Sequence, residues 1–118
     1  MQKPSALTIN EETVRKIQQF REDRNWSQFH NPKDLAISIS LESAELLECF
    51  QWSGTDTEVS KKRLEMQEEL SDVLIYAVLM ADRLNIDINE AICNKIEKNN
   101  KKYPVKKSYG RSDKYDKL

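Results

Sequence analysis

The chain has 118 residues with only two glycines and three prolines, and 33% of its residues are charged. This composition favours long helices over a sheet with many tight turns, and the length suits one domain with a modest core. The formal net charge of −1 excludes the strong overall positive field that is typical of proteins binding nucleic acid polymers or membrane surfaces. We therefore predict an all-α, single-domain protein over residues 1–118, with a core at about 8–104 and a basic tail at 105–118.

Apolar spacing and capping signals predict four helices in a bundle-like arrangement, which span in chain order about residues 10–23, 32–52, 58–84 and 89–102. Thr8 or Asn10 caps the first helix. Asn31 followed by Pro32 is a strong start signal for the second helix, because proline suits the first helical position. Pro104 ends the fourth helix, since the residue before a proline avoids helical backbone angles.

Two acidic pairs are the most informative feature of the chain: Glu42 with Glu45 in the second helix, and Glu69 with Asp72 in the third. A spacing of three residues puts both carboxylates of a pair on one face of a helix. Glu42 falls in the centre of an apolar stripe, where an uncompensated acid is costly to bury. If the two helices pack side by side and antiparallel, the four acids converge, and a hard cation such as Mg²⁺, or Mn²⁺, would compensate them. Periodicity alone does not choose between Glu68 and Glu69 as the third ligand.

Other interpretations of the acidic pairs stay open. A di-iron or di-manganese oxidase also places acids on facing helices, but it needs histidine ligands, and the only histidine is His30, in the connector between the first two helices. A helical interaction module, in which the acids are ordinary surface charges, is the non-catalytic alternative. No P-loop or other glycine-rich phosphate cradle is present.

Several further residues are candidates for substrate binding, namely Trp26, Phe29, His30, Trp52, Tyr76, Lys95, Asn99 and Tyr103. The aromatic ones could stack a nucleobase, although packing in the core would equally explain Phe29. Tyr76 follows Asp72 by one helical turn and should border the acids. The last three share one face of the fourth helix, where Lys95 could neutralise phosphate charge or lie in solvent as an ordinary surface lysine.

The longest apolar run, Val73 to Ala81, is apolar on almost every side, so the third helix must be covered on more than one side. Its main seam is predicted to comprise Leu70, Val73, Leu74, Ala77, Ala81 and Leu84. In a chain this small, a second copy is the expected cover, which predicts a homo-oligomer. The run is too short to span a bilayer.

The expected location is the cytoplasm. The start of the chain lacks the apolar stretch of a signal peptide. Cys49 and Cys93 lie far apart without metal-binding or redox spacing, which predicts reduced, packed thiols.

Together these motifs resemble a known family. The order ExxE, a gap of 23 residues (46–68) and ExxD is similar to the all-α nucleotide pyrophosphohydrolases of the MazG-like superfamily, and within it to the dCTP pyrophosphatase group. The segments that carry the resemblance are residues 20–32, 50–52, 68–76 and 95–104.

This resemblance implies a homodimer or homotetramer that cleaves a nucleoside triphosphate to a monophosphate and pyrophosphate with Mg²⁺. The substrate it implies is dCTP or a related pyrimidine nucleotide, with phosphoribosyl-ATP or a damaged-base nucleotide as alternatives. The implied metal ligands are Glu42, Glu45, Glu69 and Asp72, and either Glu42 or Glu45 would accept a proton from the attacking water. The resemblance also places the aromatic connector, Trp52 and Tyr76 around base and sugar, and the fourth-helix face beside the phosphates.

Overall fold

Our computed structural model describes residues 4–118. Its helices are α1 (Glu11–Asp23), α2 (Pro32–Glu48), α3 (Arg63–Leu84), α4 (Ile88–Lys102) and α5 (Val105–Ser108), with short 3₁₀ turns at Pro4–Leu7, Trp26–Phe29, Ser60–Lys62 and Tyr115–Lys117. Residues 4–118 contain no strand, and the predicted all-α class is confirmed. In that same range no helix combines the length and the apolar character needed to cross a bilayer.

Side-chain caps fix the starts of the main helices. The Oδ1 atom of Asn10 accepts a hydrogen bond from the Thr13 amide at 2.9 Å, and that of Asn31 accepts one from the Asp34 amide at 2.9 Å. Asp87 caps α4 in the same way. Each cap satisfies a backbone donor that the first helical turn leaves without an intrahelical partner. Asn10 rather than Thr8 therefore caps α1, and the predicted start of α2 is confirmed.

The predicted end of the second helix near Trp52 is wrong, because α2 stops at Glu48. Beyond it the amides of Phe50 and Gln51 donate to carbonyls three residues earlier, which tightens the chain into turns. Trp52 then adopts a left-handed backbone with a φ of 66°. An α-helix cannot continue through such a residue.

The predicted start of the third helix near Glu58 is also wrong. The Oδ1 atom of Asp56 accepts hydrogen bonds from the amides of Glu58 and Val59 at 3.1 Å each. Val59 has a φ of 45°, and a 3₁₀ turn follows it. α3 therefore begins only at Arg63.

The chain divides into two compact units, the first ending at Asn85 and the second spanning Ile86–Leu118. In the first unit, α2 packs along α3, and α1 also contacts α3. Among the described residues of this unit, the buried apolar side chains are Leu35, Cys49, Val78, Leu79 and Ala81. The prediction of a single domain over the whole chain stays a prediction.

Part of the predicted seam on α3 is not buried. Leu70, Leu74 and Leu84 are 48%, 43% and 45% exposed, whereas Val78 and Leu79 are buried. Val78 and Leu79, which lie outside the predicted seam, line a cavity together with residues of α1.

The second unit consists of α4, α5 and the C-terminal segment. The rings of Tyr103 and Tyr115 meet edge to face with centroids 6.1 Å apart, and the Lys102 ammonium lies 5.2 Å from the Tyr115 ring centre. The prediction of a packed Cys93 is wrong, because this thiol is exposed on a helix that buries no side chain; Cys49 is buried as predicted.

Candidate active site

Four carboxylates from two helices converge in the first unit. α2 supplies Glu42 and Glu45, α3 supplies Glu69 and Asp72, and one oxygen of each lies within 4.8 Å of the others. The spacing within each pair explains the convergence, because both members lie on the helix face turned towards the other helix. Glu45 is exposed and the other three are partly buried.

Two of these acids hold a proton more tightly than an isolated glutamate does. Burial, hydrogen bonding with Glu45 and repulsion from the other acids raise the pKa of Glu42 to about 7. The pKa of Glu69 is also raised, first by hydrogen bonding with Glu45 and then by burial and neighbouring charges. Full ionisation of the cluster therefore costs free energy in the absence of a cation.

The cluster has the donor set of a site for a hard divalent cation. The Oε2 atoms of Glu42 and Glu69 are buried, and neither has a hydrogen-bond partner among residues 4–118. All donors are carboxylate oxygens, the ligand type that Mg²⁺ and Mn²⁺ prefer. Octahedral coordination of Mg²⁺ places ligand oxygens roughly 3–4 Å apart, so the observed separations need only a small contraction. The acids present fit Mg²⁺.

A cavity of about 610 Å³ adjoins the acids. Its walls come from α1, the connector and α3, and Glu42 and Asp72 form part of them. Most of the other lining side chains are apolar, including Ile17, Phe20 and Leu79. A mostly apolar cavity of this size with a few polar groups on one side is typical of a small-molecule site.

Aromatic side chains form a continuous edge-to-face series at this cavity. Phe20 meets Trp26 at 5.7 Å, Trp26 meets His30 at 6.3 Å, and His30 meets Tyr76 at 6.2 Å between ring centres. Burial and the positive charge of Arg21 lower the pKa of His30. Its Nδ1 atom is buried and has no hydrogen-bond partner among the residues that the structure describes. His30 therefore contributes a ring whose neutral form is favoured to the cavity wall, with one nitrogen that is buried and unpaired among the described residues.

Comparison with known proteins then decides the family. Residues 37–118, about two thirds of the chain, match the MazG-like family model.

The chain belongs to the MazG-like family.

Curated relatives include dCTP pyrophosphatase 1 from Mus musculus, 41% identical over 91% of this chain, and its counterpart from Homo sapiens, 39% identical over 91%. The chain spans 66% of the length of each of these relatives. A crystal structure of a pyrophosphatase from Archaeoglobus fulgidus is similar to the chain, with a TM-score of 0.72 and 47% identity, covering 80% of this chain and 91% of that one.

Not every predicted site residue of this MazG-like chain lies at the cavity. Trp26, His30 and Tyr76 line it, whereas Phe29 and Trp52 do not and are 60% and 92% exposed. In the second unit, Lys95 and Asn99 lie on α4, and Tyr103 is the residue that follows its C-terminal end. Substrate binding by all of these residues stays a prediction.

Sequence reasoning missed the contribution of α1. Lys16, Phe20 and Arg21 line the cavity, and Arg21 donates hydrogen bonds to Glu22 and Asp82, both at 2.7 Å. A signal was available, because Arg21 follows Ile17 by four residues and therefore lies on the apolar stripe of its helix. A charged residue on such a stripe needs a partner.

Proposed function

We propose that this chain is a Mg²⁺-dependent nucleoside triphosphate pyrophosphohydrolase that converts dCTP, or a related pyrimidine nucleotide, to its monophosphate and pyrophosphate. Such a reaction contributes to sanitation of the nucleotide pool. Membership in the MazG-like family and the curated relatives named as dCTP pyrophosphatases support this proposal.

One observation carries the proposal: the acids and the cavity share residues. Glu42 and Asp72 belong to the four-carboxylate cluster and also line the cavity. A nucleotide whose base occupies the cavity would therefore bring its phosphates to the acidic cluster. Holding the reacting groups together in this way is a large part of phosphoryl-transfer catalysis.

Glu42, Glu45, Glu69 and Asp72 would hold the cation. A bound Mg²⁺ supplies charge neutralisation for the phosphates and a more acidic water at neutral pH. Glu42 or Glu45 accepts the proton from the attacking water, since each belongs to the cluster and a carboxylate can act as a general base.

The aromatic series would select the base. Trp26 and Tyr76 offer flat apolar surfaces for a pyrimidine ring. The low pKa of His30 favours its neutral ring, in which one nitrogen accepts a hydrogen bond. The exocyclic amino group of cytosine is a suitable donor, whereas uracil and thymine present a carbonyl at that position.

The remaining assignments rest on the resemblance. Phe29 and Trp52 would contact the base or sugar, and Lys95, Asn99 and Tyr103 would contact the phosphates. Each can be tested by alanine substitution, which should raise the Michaelis constant for the nucleotide.

We also propose that the protein is a cytoplasmic homodimer or homotetramer. Large apolar side chains on α2 support self-association, since Leu41 and Leu47 are 61% and 70% exposed. The unpaired cysteines fit a reducing compartment. Light scattering coupled to gel filtration would give the number of subunits, and a monomer at all concentrations would contradict self-association.

A panel of ribo- and deoxyribonucleoside triphosphates tests the function. With Mg²⁺ we expect dCTP to yield dCMP and pyrophosphate, and a chelator should abolish the reaction. Release of inorganic phosphate instead of pyrophosphate, or no reaction with any nucleotide, would contradict the proposal. His30→Ala should reduce the preference for dCTP over dTTP and dUTP while leaving Mg²⁺ binding unchanged.

A further inference from the structure

Arg21 joins α1 to α3 through a short ion pair. Its Nη1 atom donates to Asp82 Oδ2 at 2.7 Å. The side chains of Arg21 and Asp82 are 15% and 36% exposed. Hydrogen bonds between charged groups that are partly shielded from water are stronger than those between exposed groups. Arg21 therefore fixes the cavity wall formed by α1 against the wall formed by α3.

The same guanidinium also holds the neighbouring carboxylate. Arg21 Nε donates to Glu22 Oε1 at 2.7 Å, and this same oxygen accepts a hydrogen bond from Ser27 Oγ at 2.8 Å. The two donors lower the pKa of Glu22, Ser27 more than Arg21. Glu22 thus links the guanidinium to the connector.

The backbone brings Ser27 back towards α1. Asn25 adopts a left-handed conformation with a φ of 52°, and its amide donates to the Glu22 carbonyl at 3.0 Å. Asparagine tolerates this conformation better than most residues with a side chain. The turn begins the 3₁₀ segment that carries Trp26 and lies directly before His30.

We propose that Arg21 is a positioning residue of the base pocket, which holds Trp26 and His30 in place through the chain Arg21–Glu22–Ser27 while Asp82 anchors it to α3. This assignment rests on the proposed function, because only that function predicts that a nucleobase binds in the pocket. Arg21 needs no contact with the substrate in this role.

A double-mutant cycle separates positioning from simple packing. With dCTP and Mg²⁺, Arg21→Met should raise KM about tenfold and Ser27→Ala about threefold, with kcat changed less than about twofold. The double variant should remain near tenfold, because Ser27 cannot fix the connector once Glu22 is no longer held. Arg15→Met is the matched control. Arg15 is an exposed arginine of α1 that pairs with Glu11 at 3.8 Å, and its loss should leave KM unchanged. Independent effects, which would multiply to about thirtyfold, would overturn the proposal.

Conservative replacement gives a second readout. Arg21→Lys can keep the ion pair with Asp82 but lacks the second donor that reaches Glu22. Its melting temperature should be close to that of the wild type, because the ion pair is kept. Its KM for dCTP should stay nearly as high as that of Arg21→Met. Recovery of both in parallel would show that Arg21 serves only to hold α1 against α3.

Tryptophan fluorescence keeps the proposal testable without activity. In a Trp52→Phe background Trp26 is the only tryptophan, and Arg21→Met or Ser27→Ala should each shift its emission maximum and increase its quenching by iodide. Unchanged emission and quenching in both variants would overturn the proposal. Ser27→Ala removes only a hydroxyl and decides the outcome if Arg21→Met does not fold. Failure of the wild-type protein to hydrolyse any nucleotide would contradict the proposed function but would not change the fluorescence result.

Discussion

At the scale of single residues, the acidic pairs show what a sequence can and cannot specify. The spacing of Glu42 with Glu45 and of Glu69 with Asp72 was sufficient to predict that the four acids converge. Periodicity could not separate Glu69 from Glu68, since both lie near Asp72. Only the packing of α3 against α2 places Glu69 in the cluster and leaves Glu68 outside it.

That difference gives a matched pair of variants. Glu69→Gln removes one charge from the cluster and should lower pyrophosphate release by at least about 100-fold, because the cation loses a ligand. Glu68→Gln removes an equal charge at the preceding position, outside the cluster, and should change the rate less than about twofold. Rates of pyrophosphate release at saturating Mg²⁺ check both. Equal losses in the two variants would contradict the assignment of Glu69.

Protonation of Glu42 links the cluster to stability. Its pKa rises from 4.5 to about 7 in the folded protein, so the metal-free folded state holds this proton more tightly than the unfolded chain. The stabilisation is therefore fully present below about pH 4.5 and is lost as the pH rises through about 7. His30 acts in the opposite direction, because its pKa is lowered.

Melting temperatures in a chelator test this linkage. Between about pH 5 and about pH 8 the wild-type protein should lose a few degrees more than Glu42→Gln, which cannot titrate at this position. The comparison cancels the contribution of His30, which both proteins retain. Mg²⁺ should remove most of the difference by stabilising the wild type at the higher pH. The same pH dependence in both proteins would show that Glu42 is not the titrating group.

At the scale of helices, boundaries marked by a capping residue or a proline were predictable, whereas the end of α2 and the start of α3 were not. Helix starts are indicated by the capping residues Asn10 and Asn31 and by Pro32, whose backbone angle suits the first helical position. Both signals are local properties of residue type. The breaks at Trp52 and Val59 depend on left-handed backbones, which bulky and β-branched residues rarely adopt. Residue type therefore gave no warning of these two left-handed residues, which flank the predicted break at 53–57.

The cap of α2 can be tested directly. Asn31→Ala removes the acceptor for the Asp34 amide and should cost about 1 kcal/mol of unfolding free energy, or roughly 4 °C in melting temperature. Asn31→Ser keeps a capping oxygen and should cost much less. Chemical denaturation of both variants gives the comparison. A serine variant as unstable as the alanine variant would show that the hydrogen bond is not what Asn31 contributes.

At the scale of the whole molecule, the sequence predicted the fold class but not which side of α3 would be covered. The run from Val73 to Ala81 is apolar on almost every side, so the sequence pattern does not indicate which face of the helix is buried. Contacts between segments that are distant in sequence determine which face is covered. The ion pair of Arg21 with Asp82, 61 residues apart, is one of these contacts. The partly exposed leucines of α3 are consistent with the proposed self-association.

The location of a bound metal tests the central claim most directly. Crystals soaked in Mn²⁺, which gives a strong anomalous signal and replaces Mg²⁺ at oxygen sites, should show a peak between α2 and α3. We expect the ion to lie roughly 2–2.5 Å from carboxylate oxygens of Glu42, Glu45, Glu69 and Asp72. Absence of a peak there at saturating Mn²⁺, with these side chains turned apart into solvent, would contradict the account.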